Sequence, residues 1–237
     1  MKLSVLIPAY NEEDSVGETV REVYDVLTKE NIPHEIIVIN DHSTDRTEEI
    51  LNKVVTEISS LRKIDNSFPN GFGYAVRCGL NHFKGDCVAI FMADASDSPD
   101  DLVNFYRALV ECNYDAVFGS RFISGGKTVD YPPVKLCINR LANSLIRVLF
   151  GLKYNDITNA FKMYRSEMIK NIPIEEAGFA CSMEITVKAF VRGAKITEVP
   201  TVWRGRTAGK SKFSMLKGGK DYLRWYVWAL LLRKHKF

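Results

Sequence analysis

Apolar segments of strand length alternate with segments of helical periodicity through the first half of the chain. Continuous apolar runs predict strands, and apolar residues recurring every three to four positions predict helices. Residues 15–29, for example, place Val16, Val20, Val23 and Leu27 on one helical face. The pattern predicts strands at residues 2–7, 35–40, 61–65, 88–92 and 116–120, and helices at 15–29, from about 45, at 73–83 and at 99–112. This order is typical of a Rossmann-like α/β domain with a doubly wound, mostly parallel sheet.

The second half of the chain has a different pattern. Paired glycines at 125–126 and paired prolines at 132–133 predict a loop. Residues 135–150 are amphipathic, because Leu141 and Leu145 share a stripe opposite Arg140 and Arg147. A last strand is predicted at 196–202 and an aromatic-rich helix at 214–232. For residues 135–150, packing on the core and lying at a membrane interface are equal alternatives. For the tail helix, a position at the membrane is favoured.

Charge is distributed unevenly along the chain. The net charge is only +3, but residues 203–237 contain ten lysine and arginine residues and one acid, Asp221. Residues 1–202 contain 22 basic and 28 acidic residues. A near-neutral body with a basic tail predicts an anionic partner at the tail, such as phosphate groups, nucleic acid or a membrane surface. The 46% hydrophobic and 26% charged content is that of an ordinary globular domain.

The cysteines and the apolar runs indicate a cellular compartment. Five cysteines lie far apart without a C-x-x-C pair, which argues against a disulfide framework or a zinc site and favours a reducing environment. The apolar start is too short for a secretory signal peptide. The longest apolar run, residues 225–232, is well short of the ~20 residues that span a bilayer. We therefore expect a cytoplasmic protein that does not cross a membrane by itself.

A cluster of carboxylates follows the predicted strand at 88–92. Open α/β sheets bind ligands at the carboxyl ends of their strands. Asp94 and Asp97 lie between the strand end and the next helix, and their oxygens suit a hard divalent cation that could hold a phosphorylated substrate. The alternative is a solvated acidic loop. Asp100 and Asp101 need no function, since acids are favourable in the first turn of a helix.

Other candidate binding residues follow the neighbouring strands. Pro8, Tyr10 and Glu12 could shape a pocket floor, although acids also favour a helix entry. Asp41 could accept hydrogen bonds from a nucleobase, and Gly71 could let a ligand approach the backbone. For both residues ordinary turn chemistry is the more favoured alternative.

Two basic features could neutralise phosphate. Arg121 directly follows the predicted strand at 116–120, so it is expected at the same edge of the sheet. Arg204, Arg206, Lys210 and Lys212 cluster around Gly209, which favours a mobile phosphate clamp over a merely solvated charged face.

Five segments together resemble the family 2 glycosyltransferases, in particular the dolichol-phosphate (polyprenyl-phosphate) mannosyltransferase branch. They are Pro-Ala-Tyr-Asn-Glu from residue 8, Asn-Asp-x-Ser-x-Asp from residue 40, the acidic loop, Gly-Ser-Arg from residue 119, and Arg-x-x-Gly-Lys-Ser-Lys from residue 206. Each segment is weak alone, but five in this order are specific. The resemblance covers roughly residues 3–220.

The resemblance implies a GT-A fold, a GDP- or UDP-hexose donor, and a Mg²⁺ or Mn²⁺ ion under the donor diphosphate. It implies catalytic roles for Asp94 and Arg121 and a metal site at Asp94, Ser96 and Asp97. It further implies a donor nucleotide site at Pro8, Tyr10, Glu12, Asp41 and Gly71, an acceptor phosphate site at Arg121, Lys135 and Asn139, and a segment that closes over the donor at Arg206, Ser211 and Lys212. Residues 1–212 would be the GT-A domain and residues 213–237 a basic, aromatic-rich tail helix at the membrane.

Two positions depart from the family pattern. Met92 replaces the first acid of the usual Asp-x-Asp motif, and Asp97 could compensate for it. Relatives that transfer to saccharides often carry a Glu-Asp pair whose Asp is the base, whereas Glu184 precedes Ile185 here. A sugar hydroxyl needs a general base, but a phosphate monoester is already anionic. With Arg121, Lys135, Arg140 and Arg147 available, a phosphate acceptor is favoured.

The resulting hypothesis is an inverting transferase that moves a hexose to polyprenyl or dolichyl phosphate at the cytoplasmic face of a membrane. A membrane-anchoring subunit is a possible partner, and nucleic acid is not expected because no recognition module is visible. One alternative is a glycosyltransferase acting on a saccharide hydroxyl, with Glu184 as base. A second alternative, suggested by Met92, is a non-catalytic subunit that binds nucleotide sugars.

Overall fold

The structure, a computed structural model, describes residues 1–206 and 222–228. Its strands are β1 (Leu3–Ala9), β2 (His34–Asn40), β3 (Leu61–Asp65), β4 (Cys87–Ile90), β5 (Ala116–Ser120), β6 (Lys127–Val129), β7 (Lys162–Arg165), β8 (Ile196–Pro200) and β9 (Val202–Arg204). Its helices are α1 (Val16–Lys29), α2 (Thr47–Glu57), α3 (Phe72–Leu80), α4 (Pro99–Glu111), α5 (Pro133–Phe150), α6 (Ser166–Lys170) and α7 (Cys181–Val191). Residues 222–228 are also helical.

Seven strands form one sheet in the order β3-β2-β1-β4-β7-β5-β8, and β6 and β9 pair separately. β1 is parallel to β2 and β4, and β5 is parallel to β8. β7 is antiparallel to both of its neighbours, β4 and β5. The predicted doubly wound, mostly parallel sheet is confirmed. The carboxyl ends of β1, β2, β4 and β5 therefore meet at one edge of the sheet.

Helices cover both faces of the sheet, so its central strands are buried on both sides. This explains their near-continuous apolar sequences. On one face, Val20 of α1, Val54 of α2 and Phe105 of α4 join a single apolar cluster. On the other face, Val76 of α3 and Ile185 of α7 belong to a second cluster.

A third apolar cluster lies outside the sheet, where α5 and residues 222–228 pack with α7. It contains Ile146, Met183, Val187 and Trp225. The predicted stripe of α5 does not enter this cluster. Instead, the side chains of Val134, Leu141 and Val148 are 72%, 60% and 64% exposed, with Ile138 and Leu145 beside them. The apolar row of α5 is therefore a surface feature.

The five predicted strands and four predicted helices of the first half are confirmed, with ends shifted by a few residues. β6, β7, α6 and α7 were not predicted. β7 contains Lys162 and Arg165, which disguise a strand, and almost all of α7 is buried, so it lacks an amphipathic period. The single strand predicted at 196–202 is divided between β8 and β9. At the division, Thr201 Oγ1 donates to Asp101 Oδ2 over 2.5 Å.

No helix among residues 1–206 and 222–228 is long and apolar enough to span a membrane. Most of the predicted tail helix lies outside the described residues, as does the predicted boundary at residue 212.

Candidate active site

A cavity of about 370 Å³ opens at the carboxyl edge of the sheet, between β4, β5, α5 and residues 222–228. Parallel strands deliver their following loops to this edge. The cavity combines charged and apolar walls. Its lining comprises Met92, Asp94, Ser96, Asp97, Arg121, Tyr131, Lys135, Ile138, Asn139, Ala142, Thr158, Asn159, Ala160, Phe179, Trp203, Arg206, Tyr222 and Tyr226. Every predicted metal and acceptor residue is in this set.

The acidic loop supplies two buried carboxylates with different surroundings. Asp94 Oδ1 accepts a hydrogen bond from the Ser96 backbone at 3.1 Å. Both oxygens of Asp97 are buried and have no hydrogen-bond partner among the described residues. Burial, and next the charge of Asp94, raise the pKa of Asp97 to about 8. An unpaired buried carboxylate facing a cavity is unfavourable unless a cation or donor reaches it.

Arg206 connects the acidic loop to the segment that follows β1. Its Nε lies 2.8 Å from Asp94 Oδ2, and its Nη1 lies 3.0 Å from Glu12 Oε1. Glu12 also begins the turn into α1, since its carbonyl accepts the backbone N–H of Ser15 and Val16. The two interpretations of Glu12, helix entry and binding, are thus compatible. Ser211 and Lys212, predicted to close over the donor with Arg206, lie outside the described residues.

Arg121, which also lines the cavity, is held by Asp156. Arg121 Nε and Nη2 each donate to a different Asp156 oxygen at 2.7 Å, and the Arg121 backbone N–H also donates to Oδ2. Burial opposes the charge, but Asp156 outweighs it and raises the pKa of Arg121 above its usual range. The bidentate contact leaves Arg121 Nη1 without a partner among the described residues.

Asp156 is itself fixed by β8. The backbone N–H groups of Asn155 and Asp156 donate to Glu198 Oε1 at 2.7 and 3.2 Å. The sequence pattern predicted no role for Asp156. Asp156 lies 35 residues from Arg121 in the chain, so no local sequence pattern indicates that the two residues pair.

Lys135 and Asn139 lie one turn apart on the face of α5 that borders the cavity. Burial, and then the charges of Arg206 and Arg121, lower the pKa of Lys135. Asn139 Oδ1 accepts the side-chain N–H of Asn143 at 2.8 Å, which fixes its orientation. Arg140 and Arg147 are absent from the cavity lining, so the prediction that they contribute charge there is not supported.

The predicted nucleoside residues form a group beside the cavity. Asp41 is buried, and its carboxylate accepts hydrogen bonds from Asn66, Asn70 and the Gly71 backbone at 2.6, 3.1 and 2.9 Å. A Cβ on Gly71 would lie 2.6 Å from the Ala177 carbonyl oxygen. The small size of Gly71 therefore allows close packing of its own chain. Pro8 is buried at the end of β1, and Tyr10 is half-buried.

Glu184 does not face the cavity. Its carboxylate accepts the backbone N–H groups of Glu175 and Glu176 at 2.9 Å each and lies 2.6 Å from Lys188 Nζ. These contacts give Glu184 a structural role. Asp94 and Asp97 are the only acids in the cavity lining formed by the described residues.

Several cavity residues were not predicted, and five of them are aromatic. Tyr131 and Trp203 contact edge to face, with ring centroids 4.7 Å apart. Tyr226 Oη donates to the Ala142 carbonyl at 2.9 Å and joins residues 222–228 to α5. These side chains come from segments distant in the sequence, so only the folded chain reveals their proximity.

Comparisons with known proteins agree with this architecture. Residues 4–172 match the family described as "Glycosyl transferase family 2". The chain is 30% identical to the dolichol-phosphate mannosyltransferase of Pyrococcus furiosus, over 98% of this chain and 64% of that protein. It is 29% identical to the undecaprenyl-phosphate mannosyltransferase of Micrococcus luteus, over 98% and 96%. Identity to the polyprenol monophosphomannose synthase of Mycolicibacterium smegmatis is 28%, over 89% and 80%. This chain thus spans just under two thirds of the Pyrococcus protein.

Solved structures show a similar fold. The glucosyl-3-phosphoglycerate synthase of Mycobacterium tuberculosis, crystallised with Mn²⁺, UDP and phosphoglyceric acid, superposes with a TM-score of 0.73 at 19% identity. The match covers 98% of this chain and 78% of that one. The predicted GT-A fold is confirmed, and so is the predicted membership of the family 2 glycosyltransferases. The chain belongs to glycosyl transferase family 2.

Proposed function

We propose that this chain is an inverting transferase that moves a hexose, of mannose or glucose type, from a GDP- or UDP-sugar to polyprenyl or dolichyl phosphate. The observation that carries the proposal is the composition of the cavity. Its lining combines carboxylates suited to a cation, cations suited to a phosphate, and apolar and aromatic side chains from α5 and residues 222–228. The activities for which the three relatives are named support the same acceptor class.

The acidic loop fits a Mg²⁺ or Mn²⁺ ion. Such ions are commonly held by one or two carboxylates together with substrate phosphates. Asp97 offers two buried oxygens without partners, and Asp94 lies beside it. No group of three or more His, Cys, Asp or Glu side chains arranged for a metal occurs in the described parts of the chain. Because Asp94 and Asp97 supply two carboxylates and Ser96 lines the cavity with them, we assign Asp94, Asp97 and the Ser96 hydroxyl as protein ligands. When bound, the cation would neutralise the charge that develops on the leaving diphosphate.

Arg206 has a position suited to the donor. Its guanidinium lies between Glu12, on the proposed nucleoside side, and Asp94, at the proposed diphosphate site. Arginine is well suited to phosphate because it presents several donors in one plane. Pro8, Tyr10 and the loop fixed by Asp41 and Gly71 would border the nucleoside. In the donor complex, Arg206 would exchange its carboxylate contacts for diphosphate oxygens.

Arg121 and Lys135 would hold the acceptor phosphate, with Asn139 beside them. Arg121 has Nη1 available because Asp156 engages Nε and Nη2. An oxygen of the acceptor phosphate forms the bond to the anomeric carbon as the bond from that carbon to the donor diphosphate breaks. The nucleoside diphosphate leaves, and the configuration inverts. No proton must be removed, because a phosphate monoester is anionic at neutral pH.

The saccharide alternative requires a general base at the reacting centre. Glu184 is buried in structural contacts away from the cavity, which argues against that role. The non-catalytic alternative rests on Met92, which lines the cavity at the position of the usual first acid. The unpaired Asp97 in the same cavity offers a replacement ligand and favours catalysis.

The surroundings of the cavity mouth support a membrane location. Ile138 and Ala142 of α5 and Tyr222 and Tyr226 line the cavity, while the outer faces of the same two helices expose apolar side chains. Amphipathic helices with such faces lie at membrane interfaces. A lipid-linked acceptor could thus reach the cavity between them from the cytoplasmic face. The basic tail over 213–237 and a membrane-anchoring subunit would strengthen this attachment.

A transfer assay tests the proposal. The full chain in detergent would receive short polyprenyl phosphate, GDP- and UDP-hexoses in parallel, and Mn²⁺, Mg²⁺ or a chelator. We expect a glycosylated lipid phosphate that forms only with a divalent cation and predominantly from one donor. Nucleotide binding without turnover under all conditions would instead support the non-catalytic alternative.

A further inference from the structure

A second cavity, of about 340 Å³, lies on the other flank of α5. The segment from Arg121 to Thr128 forms one wall, and Leu136 and Arg140 form the other. Arg121 borders both cavities, so the second cavity adjoins the proposed acceptor site. It is separate from the acidic loop, since neither Asp94 nor Asp97 lines it.

The second cavity is positively charged. Among the residues that the structure describes, Lys127 and Arg140 form no ion pair, and no acid lines the cavity. The charge of Arg121 is already balanced by Asp156. The Arg140 guanidinium lies 5.3 Å from the centre of the Phe122 ring, a cation–π contact that holds it beside the cavity without neutralising it. Two uncompensated cations at a concave site favour an anionic ligand.

The exposed apolar row of α5 lies on the outward side of the helix, centred about 120–160° around the helix from Leu136 and Arg140 of the second cavity. Successive helical residues are rotated by 100°, which places Leu136 and Arg140 on one flank and Lys135, Asn139 and Ala142 on the other. The ridge on the outward side of α5 carries the exposed residues Val134, Ile138, Leu141, Leu145 and Val148. If this ridge enters the lipid surface, Arg140 lies above it on the side of the helix, from where a long cationic side chain can reach the headgroups.

We propose that the second cavity binds the phosphate of an acidic phospholipid and thereby orients the protein on an anionic membrane. The inference rests on the proposed function in requiring a membrane surface, and it adds a lipid site separate from the acceptor site. Lys127 and Arg140 contact the headgroup phosphate, Thr128 supplies a hydroxyl, and the ridge of α5 contacts the acyl region. A soluble phosphate would meet the same cations but would gain nothing from the apolar ridge of α5.

Vesicle co-sedimentation tests this proposal. The full chain is mixed with phosphatidylcholine vesicles, with or without phosphatidylglycerol. Replacing both cations (K127Q with R140Q) should weaken binding to the anionic vesicles roughly tenfold or more, because each basic residue near such a surface contributes appreciably. Binding to the neutral vesicles should stay unchanged.

A matched control removes the same charge from the opposite edge of the sheet. Lys29 ends α1, and Lys84 precedes β4, so both lie near the amino ends of the strands. The variant K29Q with K84Q should bind anionic vesicles like the wild type. Equal losses in both double variants, or no loss in K127Q with R140Q, would overturn the proposal. Binding of inorganic phosphate that is lost in K127Q with R140Q, together with unchanged binding of that variant to anionic vesicles, would assign the cavity to a soluble phosphate instead.

Sugar transfer in detergent separates this inference from the proposed function. Neither Lys127 nor Arg140 lines the central cavity. The double variant should therefore glycosylate a short polyprenyl phosphate in detergent at the wild-type rate while losing affinity for anionic vesicles. Because vesicle binding is measured without donor or acceptor, its result holds whether or not transfer is observed. Loss of transfer in detergent would place the two cations in the acceptor site and overturn the separate lipid site.

Discussion

Arg121 and Asp97 border the same cavity and are both buried, yet their charges are satisfied differently. Arg121 forms two bonds of 2.7 Å to Asp156, whereas the Asp97 oxygens have no partner among the described residues. A paired buried charge can belong to the permanent framework of a fold. An unpaired one is costly without a ligand. The comparison divides the site into two parts. The charge of Arg121 is already paired in the free protein, whereas Asp97 would gain a partner only when the cation and the donor bind.

Lys162 is an intermediate case. It is fully buried on β7, and its Nζ donates to the carbonyls of Ile157 and Ser182 and to Thr186 Oγ1, but it forms no ion pair among the described residues. Burial lowers its pKa to about 7. Hydrogen bonds alone therefore do not keep this buried ammonium charged as strongly as Asp156 keeps Arg121 charged.

The largest expected effect comes from removing the carboxylate that pairs with Arg121. The substitution Asp156→Asn leaves the Arg121 charge buried and uncompensated, which should lower the free energy of unfolding by about 3–5 kcal/mol. Urea denaturation would measure the loss. Glu57→Gln, at the half-exposed pair with Arg21, is the control and should cost less than about 1 kcal/mol. Equal costs would show that the buried pair is not special.

The buried Lys162 predicts that the free energy of unfolding depends on pH. The folded protein releases the Lys162 proton near pH 7, but the unfolded chain retains it up to about pH 10.4. Between these values the unfolded state binds more protons, so this lysine makes stability rise with pH. The wild type should thus gain stability relative to Lys162→Met by at most about 1.4 kcal/mol per pH unit above pH 7. A pH-independent difference between the two unfolding curves would contradict the assignment.

Removing the unpaired charge should have the opposite effect to removing the paired one. Asp97→Asn should leave the metal-free protein as stable as the wild type below pH 8, and more stable by about 1 kcal/mol above it, where the wild-type carboxyl would be charged and uncompensated. Its affinity for Mn²⁺ should fall by at least about tenfold, since even groups behind the metal ligands have effects of that size. Thermal unfolding and calorimetric Mn²⁺ titration in the presence of nucleotide would measure both. A destabilised variant with unchanged Mn²⁺ affinity would remove Asp97 from the metal site.

The smallest expected effect on stability is at Arg206, which is only partly buried. Arg206→Gln should change the free energy of unfolding by less than about 1 kcal/mol. Without nucleotide, Mn²⁺ should bind more tightly, because the guanidinium no longer occupies Asp94. Donor affinity should fall, because a phosphate contact is lost. Calorimetric titrations with Mn²⁺ and with the donor would measure the two affinities separately. If both affinities changed in the same direction, Arg206 would not occupy a position shared by the cation and donor sites.

The sequence predicted the strands and helices of the first half of the chain better than the side-chain pairs within the site. Strands such as β1 and β2 are buried on both faces, and α1 is amphipathic, so local pattern identifies them. β7 escaped prediction because its first residue is the buried Lys162. Tertiary hydrogen bonds that no local pattern encodes make that burial tolerable.

The candidate site shows the same limit. Strand order alone predicted that Asp94 and Arg121 share one edge of the sheet. The sequence did not reveal that Asp156 holds Arg121, or that Arg140 faces a different cavity from Lys135. The first depends on a loop 35 residues away. The second depends on how α5 is rotated against the sheet, and its apolar stripe misleads because it is exposed.

Acceptor discrimination tests the central claim most directly. Initial rates of sugar transfer would be compared for a short polyprenyl phosphate and the same polyprenol without phosphate, with the preferred donor and Mn²⁺. The account predicts transfer to the phosphate alone, because the cavity offers cations for the phosphate and no base for a hydroxyl. Efficient transfer to the polyprenol or to a saccharide hydroxyl would contradict it.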